Sequence, residues 1–238
     1  MRKRARRPSD TAVTGRRANG AAGVEGGFVR ISDDVELYCE EAGAGTPLLF
    51  IPGWTFTTSV FAHQLAHFAA RYRVIAFDPR GQGRSSRTLE NHNYRQHGAD
   101  LAALIARLDL QDVILAGWSF GALDAYAYVR EAGAGNLKAF IAIDELPKSL
   151  AMAENDGGEA DLATWRQFID GTTYARRDFT REFSKWMVKR DLSAEELGWL
   201  VDQSLQTPTS TALLLLIDAN VRRLHAGSQA DRLAKSRC

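Results

Sequence analysis

Four short, nearly unbroken apolar runs limit what this chain can fold into. They are PLLFI at 47–51, RVIAF at 73–77, DVILA at 112–116 and LKAFIAI at 137–143. A strand with one wet face alternates apolar and polar residues, whereas a continuous apolar run belongs to a strand covered on both faces. Segments with helical spacing lie between the runs. They are 59–70, with Phe61, Leu65 and Phe68 on one stripe, 94–108, with Leu101, Leu104, Ile105 and Leu108 inward, and 119–131. Residues 47–143 therefore read β-α-β-α-β-α-β, which predicts an α/β fold with a doubly wound, mostly parallel sheet.

The flanks differ in character. Residues 28–32 and 35–41 read as two strands joined by the polar turn Ser32-Asp33-Asp34, the second with Val35, Leu37 and Cys39 on one side. Beyond Asp144 no strand pattern is visible. Residues 160–169, 174–189, 194–205 and 209–224 all have helical spacing, and they read as a helical cap over the carboxyl edge of the sheet. The first 17 residues carry seven basic side chains and one acid, with almost no large apolar residue. Such a segment cannot bury enough surface to offset the entropy of ordering. The expected organisation is a disordered basic arm at 1–27, an α/β core at 28–150, and a cap and chain end at 151–238.

Since the arm holds the basic excess, the remainder is acidic although the whole chain has a net charge of +1. That argues against nucleic-acid binding. No run approaches the roughly 18 apolar residues of a membrane helix, and no apolar stretch follows the arginines as a secretory signal requires. Cys39 reads as a small core residue and Cys238 is the last residue, so neither a disulfide framework nor a metal site is implied. The default is a cytoplasmic location, a small-molecule substrate, no cofactor and no membrane partner.

Chemistry concentrates at Gly117-Trp118-Ser119-Phe120-Gly121, a G-x-S-x-G between an apolar strand and a helix. A serine projecting from so tight a turn needs residues without side chains two positions before and after it, hence Gly117 and Gly121. The start of the following helix directs N–H groups at the same point, where a tetrahedral oxyanion would be stabilised. Upstream, Ile51-Pro52-Gly53-Trp54 follows the strand 47–51. Gly53 permits a sharp turn exposing the N–H of Trp54, and with the N–H of Phe120 this makes a two-donor oxyanion hole. Asp78-Pro79-Arg80-Gly81-Gln82-Gly83-Arg84-Ser85 reads as an architectural loop, without the Gly-Lys-Ser/Thr ending of a phosphate cradle.

Together, PGW at 52–54, DPRGQGRSS at 78–86 and GWSFG at 117–121 resemble the α/β-hydrolase superfamily, nearest to small esterases and the non-heme haloperoxidase (perhydrolase) group. The resemblance runs from residue 28 to the carboxyl end. It implies an acyl-Ser119 intermediate, Trp54 and Phe120 as oxyanion donors, and no cofactor. Pro52 stands where many relatives have histidine. The family's order is nucleophile, acid, histidine. By that comparison the chain lacks the last strands and reads as truncated, a pseudoenzyme or half of a split hydrolase. Asp144, directly after the strand 137–143, is a candidate acid, although a structural loop before Pro147 accounts for it as well. None of His63, His67, His92, His97 and His225 follows a late strand. Without a base a serine hydroxyl is a poor nucleophile, and loss of triad members removes about 10⁴ to 10⁶ of rate. Trp165, Trp186 and Trp199 are candidate pocket-lining residues of the cap.

Overall fold

The structure, a computed structural model, describes residues 13–18, 23–145 and 161–221. Every apolar run forms a strand. β1 (Val13–Ala18), β2 (Glu25–Arg30), β3 (Glu36–Ala42), β4 (Pro47–Ile51), β5 (Arg73–Phe77), β6 (Val113–Trp118) and β7 (Leu137–Ile143) make one sheet in the order β1-β2-β3-β5-β4-β6-β7. Strands β5, β4, β6 and β7 are parallel, and β1, β2 and β3 join antiparallel on the β5 side. A short 3-10 turn (Thr58–Phe61) leads into α1 (Ala62–Phe68), and α2 (Tyr94–Arg107) and α3 (Gly121–Ala132) complete the crossovers.

The unbroken runs of β4, β5 and β6 are explained by two cores, one on each face, whereas the run 137–143, expected to be covered on both faces, is largely exposed because β7 ends the sheet. Leu49, Ile51, Ile75, Phe77, Val113 and Leu115 pack with Leu101, Leu104 and Ile105 of α2 and Tyr128 of α3. Their sequence neighbours Leu48, Phe50, Val74, Ala76 and Ala116 pack on the opposite face with Phe61 and Leu65. Both alternate sets are apolar because helices cover both faces. Cys39 is a free, buried thiol within the first core, as expected of a small hydrophobe. β7 is an edge strand, and its Ile141 and Ile143 remain exposed.

Among the described residues four helices follow: α4 (Leu162–Tyr174), α5 (Arg176–Trp186), α6 (Ala194–Leu205) and α7 (Thr209–Val221). Local chemistry starts them. The Asp161 carboxylate accepts the N–H of Thr164, and Ser193 and Glu196 form a reciprocal capping box at α6. A third apolar cluster joins these helices to the sheet through Trp54, Phe120, Trp165, Leu215 and Leu216.

The amino-terminal expectation needs correction. Val13–Ala18 is a strand, and β2 starts at Glu25, so part of the segment expected to be an unstructured arm belongs to the sheet. A sheet edge offers ladder partners to any extended chain, so backbone pairing recruits a segment with little apolar surface of its own. Residues 1–12, 19–22, 146–160 and 222–238, which include His225 and Cys238, lie outside the described residues.

The loop 78–86 is a buried polar knot. Arg80 and Asp100 form a bidentate ion pair at 2.7 and 2.6 Å, and the Ser85 hydroxyl accepts the N–H of Tyr38 at 2.8 Å. Fully buried Asp78 accepts the N–H groups of Thr58 at 2.7 Å and Arg84 at 2.9 Å. Burial outweighs these donors and lifts its pKa from 3.8 to about 6. A raised folded-state pKa means that the folded protein holds this proton more tightly than the unfolded one. The resulting stability is complete below about pH 4 and is lost as pH rises through about 6. Asp78 should therefore lower the unfolding free energy by about 3 kcal/mol over that interval, and Asp78→Asn should flatten this part of the profile. Denaturant unfolding between roughly pH 4 and 7 measures the effect; superimposable slopes for the two proteins would contradict it.

Candidate active site

Where β6 ends, the chain reverses at Ser119, which has a φ of 50°, and α3 begins two residues later. A left-handed non-glycine residue persists only when its surroundings over-determine it. Here the Ser119 N–H donates to the carbonyl of Ile143 at the end of β7, at 2.8 Å. The Ser119 carbonyl accepts the N–H of Ala122, also at 2.8 Å. The side chain is half-buried, and its hydroxyl makes no hydrogen bond among the described residues.

Close approach of backbone explains the flanking glycines. A Cβ on Gly117 would lie 2.5 Å from Cα of Ala122. One on Gly121 would lie 2.6 Å from the carbonyl oxygen of Pro52 and closer still to that of Ile51. The turn after β4 is thus pressed against the bend at Ser119. A Cβ on Gly53 would sit 3.1 Å from Cβ of Ser119 and 3.3 Å from the Trp118 ring. Trp54 and Phe120 directly follow the two residues of this contact in the chain, and neither N–H is hydrogen bonded among the described residues.

Asp144 follows the carbonyl that receives the Ser119 N–H, so the two residues occupy neighbouring strand ends. It is exposed and has a φ of 55°. No described histidine hydrogen bonds to Ser119. His63 and His67 project to solvent from α1. The Nε2 of His92 is 2.8 Å from the carbonyl oxygen of Thr88, and burial lowers its pKa. His97 Nδ1 lies 3.0 Å from Asp124 Oδ1, both side chains being buried between α2 and α3. Burial works to lower the His97 pKa, but the Asp124 carboxylate prevails and holds the ring above its ordinary value.

This His97–Asp124 pair escaped the sequence reading, because nothing in the sequence links positions on two different helices. One signal was present. Gly98 lies inside a helix, where glycine is unfavourable, and a Cβ there would lie 2.7 Å from the backbone of Ala127. Gly98 therefore marks the close crossing of α2 and α3.

Of the three cap tryptophans, only Trp165 faces the site. It is buried, with its ring 5.9 Å from Phe120. Trp186 and Trp199 are 77% and 43% exposed; Trp186 stacks at 5.8 Å on Phe183 at the margin of the cluster around Phe120, and Trp199 is not part of that cluster. Both stand on the outer faces of short helices, where a large ring gives no sequence sign of direction.

Arg176, at the start of α5, places its guanidinium 5.1 Å from the Trp54 ring centre. Burial brings its pKa down to about 10. Its Nη2 donates to the carbonyl and hydroxyl oxygens of Ser204, while Nε and Nη1 find no acceptor among the described residues.

Known proteins place this geometry in context. The family described as alpha/beta hydrolase fold matches residues 46–197. A non-heme haloperoxidase of Rhodococcus erythropolis is 35% identical over 153 residues, covering 64% of this chain and 56% of that protein. The crystal structure of bromoperoxidase from Bacillus anthracis superposes with a TM-score of 0.76 at 26% identity, over 82% of this chain and 74% of that one. The esterase EaEST from Exiguobacterium antarcticum shares the fold at a TM-score of 0.76 and 22% identity, over 82% of this chain and 75% of that one. The chain spans about half the length of the curated relatives it matches.

The glycine contacts carry a paired prediction. In α6, Gly198 has open space where a Cβ would go, so Gly198→Ala should stabilise by about 0.5–1 kcal/mol. Gly121→Ala, also helical, should instead destabilise by about 1–3 kcal/mol, because the carbonyls of Ile51 and Pro52 must retreat. Denaturant midpoints test the opposite signs, and two shifts of the same sign would contradict the close approach.

Proposed function

Because the chain belongs to the alpha/beta hydrolase fold family, we propose that it is a serine hydrolase acting on a small ester or related acyl substrate through an acyl-Ser119 intermediate. The observation that carries this is the left-handed Ser119, held at a strand end with the Gly53 turn against its Cβ. The Ser119 hydroxyl oxygen attacks the acyl carbonyl, and the carbonyl oxygen becomes an oxyanion. Two backbone N–H groups, of Trp54 and Phe120, would receive that charge, and donors fixed before the reaction stabilise it without reorganisation. The leaving alcohol departs with a proton, and water or a peroxide then releases the acyl group. Asp144, at the neighbouring strand end, is the acid in this scheme.

Helices α4–α7 would act as the cap over the core of 28–150, with Trp165 and Phe120 forming an apolar wall that selects a small, weakly polar acyl group. The same proposal includes a cytoplasmic location.

A second reading, a hydrolase-fold chain that becomes acylated without efficient turnover, is favoured by the isolation of the Ser119 hydroxyl from every described histidine. A serine lacking a general base is a weak nucleophile, and the water that releases the acyl group lacks the same base.

One experiment separates the two. A fluorophosphonate should label the chain once, at Ser119, and Ser119→Ala should abolish labelling. With p-nitrophenyl acetate, sustained release of nitrophenol supports the hydrolase. A burst of one equivalent that then stops supports the second reading. Absence of labelling together with absence of nitrophenol release rejects both.

A further inference from the structure

The residue after the proposed oxyanion donor Trp54 is in an unusual state. Thr55 has a φ of 69° and is completely buried. A β-branched residue in the left-handed region is a real outlier, which relaxes unless other contacts fix it. The turn itself contributes one backbone hydrogen bond, from the N–H of Phe56 to the carbonyl of Gly53 at 3.1 Å.

The other restraints come from about 150 residues later in the chain, at the junction of α6 and α7. The hydroxyls of Thr55 and Ser204 lie 2.7 Å apart, and Thr207 Oγ1 donates to the Thr55 carbonyl at 3.0 Å. Trp54 Nε1 donates to the carbonyl of Ala212 at 2.9 Å, and Thr57 Oγ1 donates to Gln203 Oε1 at 2.5 Å. Ser204 Oγ is itself tied down by Arg176 Nη2 at 3.2 Å. Both the side chain and the carbonyl of the strained residue are therefore held by the cap. Ser204 and Thr207 are each about 2% exposed. Cap docking alone would be served by apolar contacts, since buried hydroxyls are costly unless well paired. Here they converge on one residue in a disfavoured backbone state.

We propose that the α6–α7 junction is a brace for the oxyanion hole. Ser204 and Thr207 are positioning residues that hold Thr55 left-handed, and so aim the N–H of Trp54 at the side of Ser119. A docked cap assembles the hole, and a displaced cap dissolves it. This rests on the acyl-serine function proposed above. The geometric requirement is strict, because an oxyanion donor works only within a few tenths of an ångström of the developing charge.

The test uses the full chain carrying Thr207→Val, nearly isosteric but unable to donate, with Thr207→Ser as the conservative variant and Ser204→Ala as a second, independent break. Two quantities are read: the rate of fluorophosphonate labelling, and hydrogen exchange at the amides of Trp54 to Phe56. The brace predicts labelling slower by about tenfold or more in Thr207→Val and Ser204→Ala, near-normal labelling in Thr207→Ser, and faster exchange confined to that turn. The KM for p-nitrophenyl acetate should stay within about twofold, because the brace acts on the transition state and not on substrate binding.

Wild-type labelling with an unchanged rate in both breaking variants overturns the proposal, whatever the exchange shows. If the wild type is not labelled, the serine reading fails by itself. Faster turn exchange in the variants then still supports the brace, and unchanged exchange overturns it. Should Thr207→Val not fold, Ser204→Ala decides by the same criteria.

Discussion

Gly121 lies against the carbonyls of Ile51 and Pro52, and the site depends on that contact. It brings the end of β4 and the start of α3 closer together than any side chain would allow. Three consequences follow from it. Ser119 is forced into a left-handed bend, its N–H finds the end of β7, and the Gly53 turn comes to rest on the Ser119 Cβ. Parallel strands make this possible, because β4, β6 and β7 all end at the same edge of the sheet.

Around this contact the protein places two kinds of buried polarity. The loop 78–86 is paired within itself and to neighbouring elements: Arg80 with Asp100, Ser85 with Tyr38, and Asp78 with two backbone donors. It follows the carboxyl end of β5, at the same edge of the sheet as the bend at Ser119. The second kind crosses between sheet and cap, where Ser204 and Thr207 meet Thr55 and Arg176 lies by Trp54. Hydrogen bonds specify position more sharply than apolar contact does. A cap attached in this way registers on the turn after β4 and does not merely cover it.

Much of this was legible in the sequence, for a physical reason. A strand buried on both faces must be apolar at every position, so 47–51 and 73–77 matched β4 and β5 in full, while 137–143 matched the bounds of β7 although that edge strand is largely exposed. The flanking glycines of GWSFG advertised a turn without room for side chains, and Gly117 and Gly121 show that crowding. What stayed hidden depends on partners distant in sequence. β1 is poor in apolar residues and is held by pairing with β2. The cap brace joins residues about 150 positions apart through hydroxyls that look like ordinary surface threonine and serine. The outward direction of Trp186 and Trp199 likewise depends on how short helices pack, which their own periodicity does not record.

The proposed oxyanion hole has two backbone donors, Trp54 and Phe120, one after each of two strand ends beside Ser119. An alkylboronic acid added to amide-nitrogen-labelled protein tests it most directly, since a tetrahedral boronate on the serine places a negative oxygen where the oxyanion would form. The amide protons of Trp54 and Phe120 should both move downfield, and neither should move in Ser119→Ala. Shifts that bypass these two amides, or that persist in Ser119→Ala, would contradict the claim.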